Sequence, residues 1–215
     1  QKIVTDNSKY GTFNLQVNNP VVLDSSDWVL YPLTLEELEE TEEGFESSGY
    51  GRQRAYWNIS FFNTRTKETR LLSDSLKMLI NAVHSKNNTM TQTKSREKGC
   101  EGFILYTITT TDFNKDGKLN SVDPRYLFIS DPSGLAFRQV SPNNYDLLDW
   151  QTTREPNKIL IQARKDINLN KTFETDDETV SFIYDIDNHN LEQIFSDEFN
   201  LKAKKILESQ WSKEK

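Results

Sequence analysis

The 215-residue chain has one cysteine, Cys100, and two histidines, His84 and His189. One cysteine excludes an internal disulfide, a cysteine zinc cluster and a CxxC redox pair. Two histidines leave little for a histidine metal site. No basic excess exists: 26 Lys and Arg against 33 Asp and Glu give 26 − 33 = −7. That balance disfavours nucleic acid and anionic membrane surfaces, which both call for a basic face. No apolar run approaches the ~20 residues of a membrane span; 102–108 is among the longest. Glycine is scarce, at eight, whereas asparagine numbers nineteen. Asparagine tolerates left-handed backbone, so it is expected at many of the left-handed turn positions. The hydrophobic share of 35% still leaves roughly 75 apolar residues, enough for one sizeable core. Aromatics at 11% argue against disorder.

The apolar residues fall in short bursts rich in β-branched and aromatic types. Segments 28–33, 55–62, 103–109, 126–129, 158–163 and 180–184 read as strands. Residues 63–68 read as a hairpin connection. In 76–84, Leu76, Leu79, Ile80 and Val83 fit a helix, while Leu76, Met78 and Ile80 fit a strand. The repeat described next tips it towards strand. From Ser196 on, Phe199, Ala203, Ile206, Leu207 and Trp211 recur at helical spacing. Ser196 can cap, and Asp197 and Glu198 suit the first turn. An amphipathic helix over about 197–212 is expected, packed on the body of the protein. The acidic segment 35–51, with six glutamates between Glu36 and Glu43, reads as a solvated, mobile loop.

Sliding the chain by 54 positions aligns two segments without a gap. Asp112 falls on Asp166, Asn114 on Asn168, Asp123 on Asp177, Phe128 on Phe182 and Asp131 on Asp185. Each copy is strand, polar loop, strand, tight turn, strand. Residues 28–74 share this layout. The expected units are about 20–74, 75–140 and 141–196 within one domain, and the third shows four strands. A period near 50 with several strands per unit marks propeller blades. The repeat resembles that of TolB-type propellers over roughly residues 20–196. The whole chain also resembles a group of exported bacterial proteins without an assigned role, which implies a cell-envelope setting. The expected fold is therefore mainly β: about three antiparallel propeller-like blades, plus a C-terminal α-helix. Closed propellers use four to eight blades, so three leave bare edges. Residues 1–20, the C-terminal helix or a second copy of the chain can cover them; a homodimer would make a six-bladed ring. The chain opens at Gln1 without methionine, as a mature or trimmed start does. An export signal or lipid anchor would then lie upstream.

The strongest motif runs from Asp112 to Asp123. It matches the twelve-residue calcium loop D-x-[DN]-x-[DN]-G. Ca²⁺ takes six to eight oxygens. Asp112, Asn114 and Asp116 stand at positions 1, 3 and 5, and Gly117 permits the turn at position 6. Lys118 offers its carbonyl at position 7, Asn120 stands at position 9, and Asp123 closes the loop at position 12. Leu119 can plug the loop into the core. The stretch resembles dockerin and EF-hand loops, with aspartate last as in dockerins, but strands flank it instead of helices. The second loop carries Asp166, Asn168, Asn170, Thr172, Glu174 and Asp177 at the same positions. Lys171 replaces the glycine, so this loop is expected to hold calcium less well.

Asn58, Asn87 and Asn170 match the glycosylation acceptor pattern. His189 reads as a solvated turn residue, and no GxSxG elbow accompanies His84. Trp28, Trp57 and Trp150 read as core. The resulting expectation is a calcium-stabilised, propeller-like binding or scaffold protein of the envelope, not an enzyme, with a protein or glycan partner. The alternatives are a glycoside or phosphoester hydrolase using surface carboxylates, and a carbohydrate-binding module with exposed tryptophans.

Overall fold

The computed structural model describes residues 13–24, 26–37, 56–85, 89–90, 102–153 and 157–211. The chain is mainly β, with three antiparallel sheets and one helix at its C-terminal end. It divides into two compact units. One comprises 1–111 and 128–138, the other 112–127 and 139–215.

In the first sheet, β3 (Trp28–Glu37) pairs on one side with β1 (Phe13–Val17) and β2 (Val21–Val22). On its other side it pairs with β4 (Asn58–Asn63), which pairs with β5 (Thr69–Leu71). Register places Leu30 opposite Phe61, both fully buried. The acidic segment thus begins inside a strand: residues 35–37 belong to β3, and 38–51 lie outside the described residues. The second sheet contains β6 (Leu79–His84), β7 (Thr89–Met90), β8 (Ile104–Thr109), β9 (Arg125–Ser130) and β10 (Arg138–Gln139), in the order β10-β9-β8-β6-β7. Residues 79–84 are strand, as the repeat indicates. The third sheet is a plain meander of β11 (Tyr145–Thr152), β12 (Lys158–Lys165), β13 (Glu178–Asp185) and β14 (Asn190–Gln193).

Burial follows the strand period. In β12, Ile159, Ile161 and Ala163 are buried while Leu160 and Gln162 face out. Across from them stand buried Tyr184, Phe182 and Val180. Truncating Ile161 to alanine would cost about 2–5 kcal/mol through lost burial and the cavity left behind. A bulge between Leu147 and Asp149 shifts the parity of β11, so Leu147 and Trp150 both reach the buried face. The pattern in β8 and β9 departs from alternation. Leu105 and Thr109 are buried as well as Ile104, Tyr106 and Ile108, so both faces are covered. There the Tyr106 hydroxyl donates to Ser130 Oγ at 2.7 Å, and Ser130 donates to the Asp131 carbonyl at 2.8 Å. Burial pushes the Tyr106 hydroxyl pKa up, so it stays a donor.

The three sheets repeat one device. The N–H of Leu72 donates to Ile59 O at 2.8 Å, that of Val140 to Leu127 O at 2.8 Å, and that of Ile194 to Ser181 O at 2.9 Å. The offsets are 127 − 59 = 68 and 181 − 127 = 54. At the same offsets a side-chain oxygen caps each tight turn. Asn63 Oδ1 accepts from the N–H of Arg65 and Thr66. Asp131 Oδ1 accepts from Ser133 and Leu135, and Asp185 Oδ1 from Asp187 and Asn188.

Helix α1 (Asp197–Trp211) corrects one expectation. Ser196 caps it, its Oγ accepting the Phe199 N–H at 3.2 Å. No residue of the helix is buried, however, so it does not pack on the body. Phe199, Ile206, Leu207 and Trp211 are exposed. Phe199 stacks at 5.0 Å on Phe195, which ties the stripe to its own lead-in and not to a sheet. No helix is long and apolar enough to cross a membrane among the described residues. The role expected for asparagine is also corrected. Among the described residues, only Asn144 and Asn157 of eight non-glycine positions with positive φ are asparagine. Lysine takes three, Lys67, Lys115 and Lys171. Asparagine serves instead as a capping acceptor, because its short amide reaches the backbone two residues on.

Candidate functional site

The two aspartate-rich loops join equivalent strands, β8 to β9 and β12 to β13. Both lie in the same compact unit, and they fold alike. Positions 4 and 6 are left-handed in each: Lys115 and Gly117 at φ 64° and 83°, Leu169 and Lys171 at φ 61° and 66°. Lys171 therefore adopts the turn that glycine makes easily, at a backbone cost of about 1–2 kcal/mol.

The first aspartate of each loop turns back onto the loop's own amides. Asp112 accepts from the N–H of Asp116 at 3.1 Å and of Gly117 at 2.9 Å. Asp166 accepts from Leu169 at 2.7 Å and Lys171 at 2.9 Å. The twelfth residue closes each loop identically. Asp123 accepts from Phe113 at 2.9 Å and Asn120 at 3.0 Å. Asp177 accepts from Ile167 at 3.1 Å and Glu174 at 2.9 Å. Asn114 and Asp116 each accept an amide N–H two residues on, as do Asn168 and Asn170. Thr172 Oγ1 donates to Asn170 Oδ1 at 2.6 Å and lies 3.3 Å from Glu174 Oε1. The Lys118 N–H, then the Asn114 and Asn120 amides, hold the Asp116 carboxyl below the usual carboxylate range.

The donor set is all oxygen, which suits a hard cation. Asp123 and Asp177 are buried, at 3% and 6% exposure, and Asp166 is buried too. None of the three has an ion-pair partner among the described residues. Each carboxylate offers about four lone-pair positions and spends two on amides, so acceptor capacity remains. Among the described residues, no three His, Cys, Asp or Glu side chains already stand together as a metal cluster. Asp112, Asp116 and Asp123 of the first loop, and Asp166, Glu174 and Asp177 of the second, are thus not gathered around one point; the aspartates are turned onto amides of their own loops. The neighbourhood of the two loops was not visible in the sequence. Phe113 of the first packs on Phe173 of the second, centroids 5.0 Å apart.

The other candidates separate clearly. Asn58 is buried, donating to Ser73 O at 2.7 Å and accepting from the Ile59 N–H, which leaves no access for a glycan. Asn170 is exposed in the second loop, and Asn87 lies outside the described residues. His84 is buried at the end of β6. His189 is an exposed, left-handed turn residue. Trp150 is core, but Trp28 and Trp57 are only half-buried. Arg70, paired with Glu68, covers the Trp28 ring at 4.7 Å. No protein-family model matches the chain, and no curated protein matches it.

Proposed function

We propose that this chain is a calcium-stabilised, propeller-like binding or scaffold module of the cell envelope. The observation that carries the reading is the pair of buried closing carboxylates, Asp123 and Asp177, which have no ion-pair partner among the described residues. Buried charge is normally paired or bound to metal, because desolvation without compensation costs several kcal/mol. In the first loop Asp112, Asn114, Asp116 and Asp123 would supply side-chain oxygens, Lys118 its carbonyl and Asn120 a water-mediated contact. In the second, Asp166, Asn168, Asn170, Glu174 and Asp177 would do so, with the carbonyl of Thr172. Bound Ca²⁺ would supply compensating charge and fix the two strand connections.

The blade reading is supported by three antiparallel sheets that share one capped turn and one carbonyl bond at matching offsets. The resemblance to exported bacterial proteins supports the envelope setting, where calcium is plentiful enough for loops with Kd about 10⁻⁴–10⁻³ M. The partner in this reading is a protein or a glycan, or a second copy covering open sheet edges. Substitution of Asp123 tests the metal claim. Asp123→Asn keeps a side-chain acceptor but removes the charge. We expect it to remove most of the calcium-dependent rise in Tm, and to lower the melt in chelator by less, since the amide NH2 cannot accept the second of the two backbone N–H groups that Asp123 takes. An undiminished calcium rise in Asp123→Asn would contradict the reading.

A further inference from the structure

The contact between Phe113 and Phe173 links two loops that are 54 residues apart in the chain. The backbone that carries each ring is tied to a closing carboxylate. The Phe113 N–H itself bonds Asp123 Oδ1. Phe173 immediately precedes Glu174, whose N–H bonds Asp177 Oδ2. Both rings are half-buried, and they tilt 34° at 5.0 Å. Fixing one closing carboxylate therefore fixes the backbone that carries one ring, and that ring bears on the other loop.

We propose that the Phe113–Phe173 pair couples the two loops, so that an ion in one raises the affinity of the other. The proposal rests on the reading of the loops as calcium sites. Ordering the first loop immobilises both rings, and the second loop then loses less freedom when it loads. An opposing term exists. An ion in one loop cancels part of the negative field that attracts an ion to its neighbour. At 0.15 M salt that field is screened beyond about 8 Å, whereas the ring contact is not. In this proposal packing outweighs the field, and coupling is positive. The effect is reciprocal by linkage: emptying either loop weakens the other by the same factor. The rings hold no ligand atom for the ion, so removing one leaves both donor sets in place.

Calorimetric titration of the full chain with Ca²⁺ in 0.15 M salt tests this, on wild type, Phe113→Ala, Phe173→Ala and the milder Phe113→Leu. Wild type is expected to bind two ions, with the second site loading about 5-fold or more tighter once the first is filled. Phe113→Ala and Phe173→Ala are expected to bind two ions independently, and Phe113→Leu to fall between. In wild type, Asp112→Ala is expected to weaken the remaining loop by the coupling factor. In the Phe113→Ala background that weakening disappears. Two independent ions in wild type, or coupling that survives in both alanine variants, would overturn the coupling and leave the calcium sites standing. No ion bound by wild type would overturn both.

Discussion

Gly134 lies directly against Phe61. A Cβ placed on Gly134, at φ 81°, would stand 2.6 Å from Cε2 of that ring and 2.9 Å from two more of its atoms. Phe61 is fully buried, so the ring has nowhere to go. The tight turn after β9 is thus pressed onto β4, and only glycine meets both the left-handed backbone and the close approach. Gly134→Ala is expected to destabilise by about 2–4 kcal/mol, from left-handed strain plus overpacking. Gly102→Ala, also at positive φ but with nothing within 4 Å, should cost only about 1 kcal/mol. Chemical denaturation of both variants checks the ranking. Phe61→Leu combined with Gly134→Ala should cost less than the sum of the single changes.

The two loops share a backbone but not its ease. Gly117→Ala, at an open position, should destabilise by about 1 kcal/mol through conformation alone. Lys171→Gly should stabilise by a similar amount and strengthen calcium binding at the second loop. In the unaltered chain, Asp112→Ala or Asp116→Ala should remove most of the calcium-dependent rise in Tm, and Asp166→Ala less. A larger loss in Asp166→Ala, measured by melting with and without Ca²⁺, would reverse the ranking of the loops.

Much of this architecture is legible in the chain because its signals are local. The alternation of Ile159, Ile161 and Ala163 and the spacing Asp112-x-Asn114-x-Asp116-Gly117 need no distant partner to be recognised. The 54-residue offset is legible because no insertion separates those copies. The first sheet is harder to align because its offset to the second is 68, the difference lying in a longer connection between strands. Its turn cap was obscured by chemistry: Asn63 does with an amide oxygen what Asp131 and Asp185 do with a carboxylate. The contact of Phe113 with Phe173 and the bulge at Leu147 are tertiary, and nothing in the sequence marks them. The stripe on α1 shows the converse: periodicity identifies a helix with an apolar face, but not what that face meets.

Asp185 caps the last turn. The Asn188 backbone N–H, with the Asn188 side chain, holds its carboxyl below the ordinary aspartate value. A lowered folded pKa stabilises above the unfolded value, about 3.9, and that contribution is lost as pH falls through the folded pKa. Asp185→Asn keeps the Oδ1 acceptor without the charge. The advantage of wild type over Asp185→Asn should therefore be full at neutral pH and vanish in strong acid. A carboxyl resonance of Asp185 titrating at or above the ordinary value would contradict this.

Because no residue of α1 is buried, the sheets should not depend on it. Removal of 197–215 should change stability by no more than about 0.5 kcal/mol. A loss of several kcal/mol on denaturation would show that the helix packs on the body after all.

The central claim is that the loops hold calcium and that calcium stabilises the fold. An ion that binds only the folded chain stabilises it by RT ln(1 + [Ca²⁺]/Kd). With Kd about 10⁻⁴–10⁻³ M and a few millimolar Ca²⁺, this is roughly 1–2 kcal/mol per loop, or several degrees in Tm. Magnesium should substitute poorly, since it demands compact octahedral geometry and holds its water. The most direct measurement is the melt of the wild-type chain in chelator, in Ca²⁺ and in Mg²⁺. The account predicts a Tm several degrees higher in Ca²⁺ than in chelator, with Mg²⁺ close to chelator. Identical melts under all three conditions would contradict it.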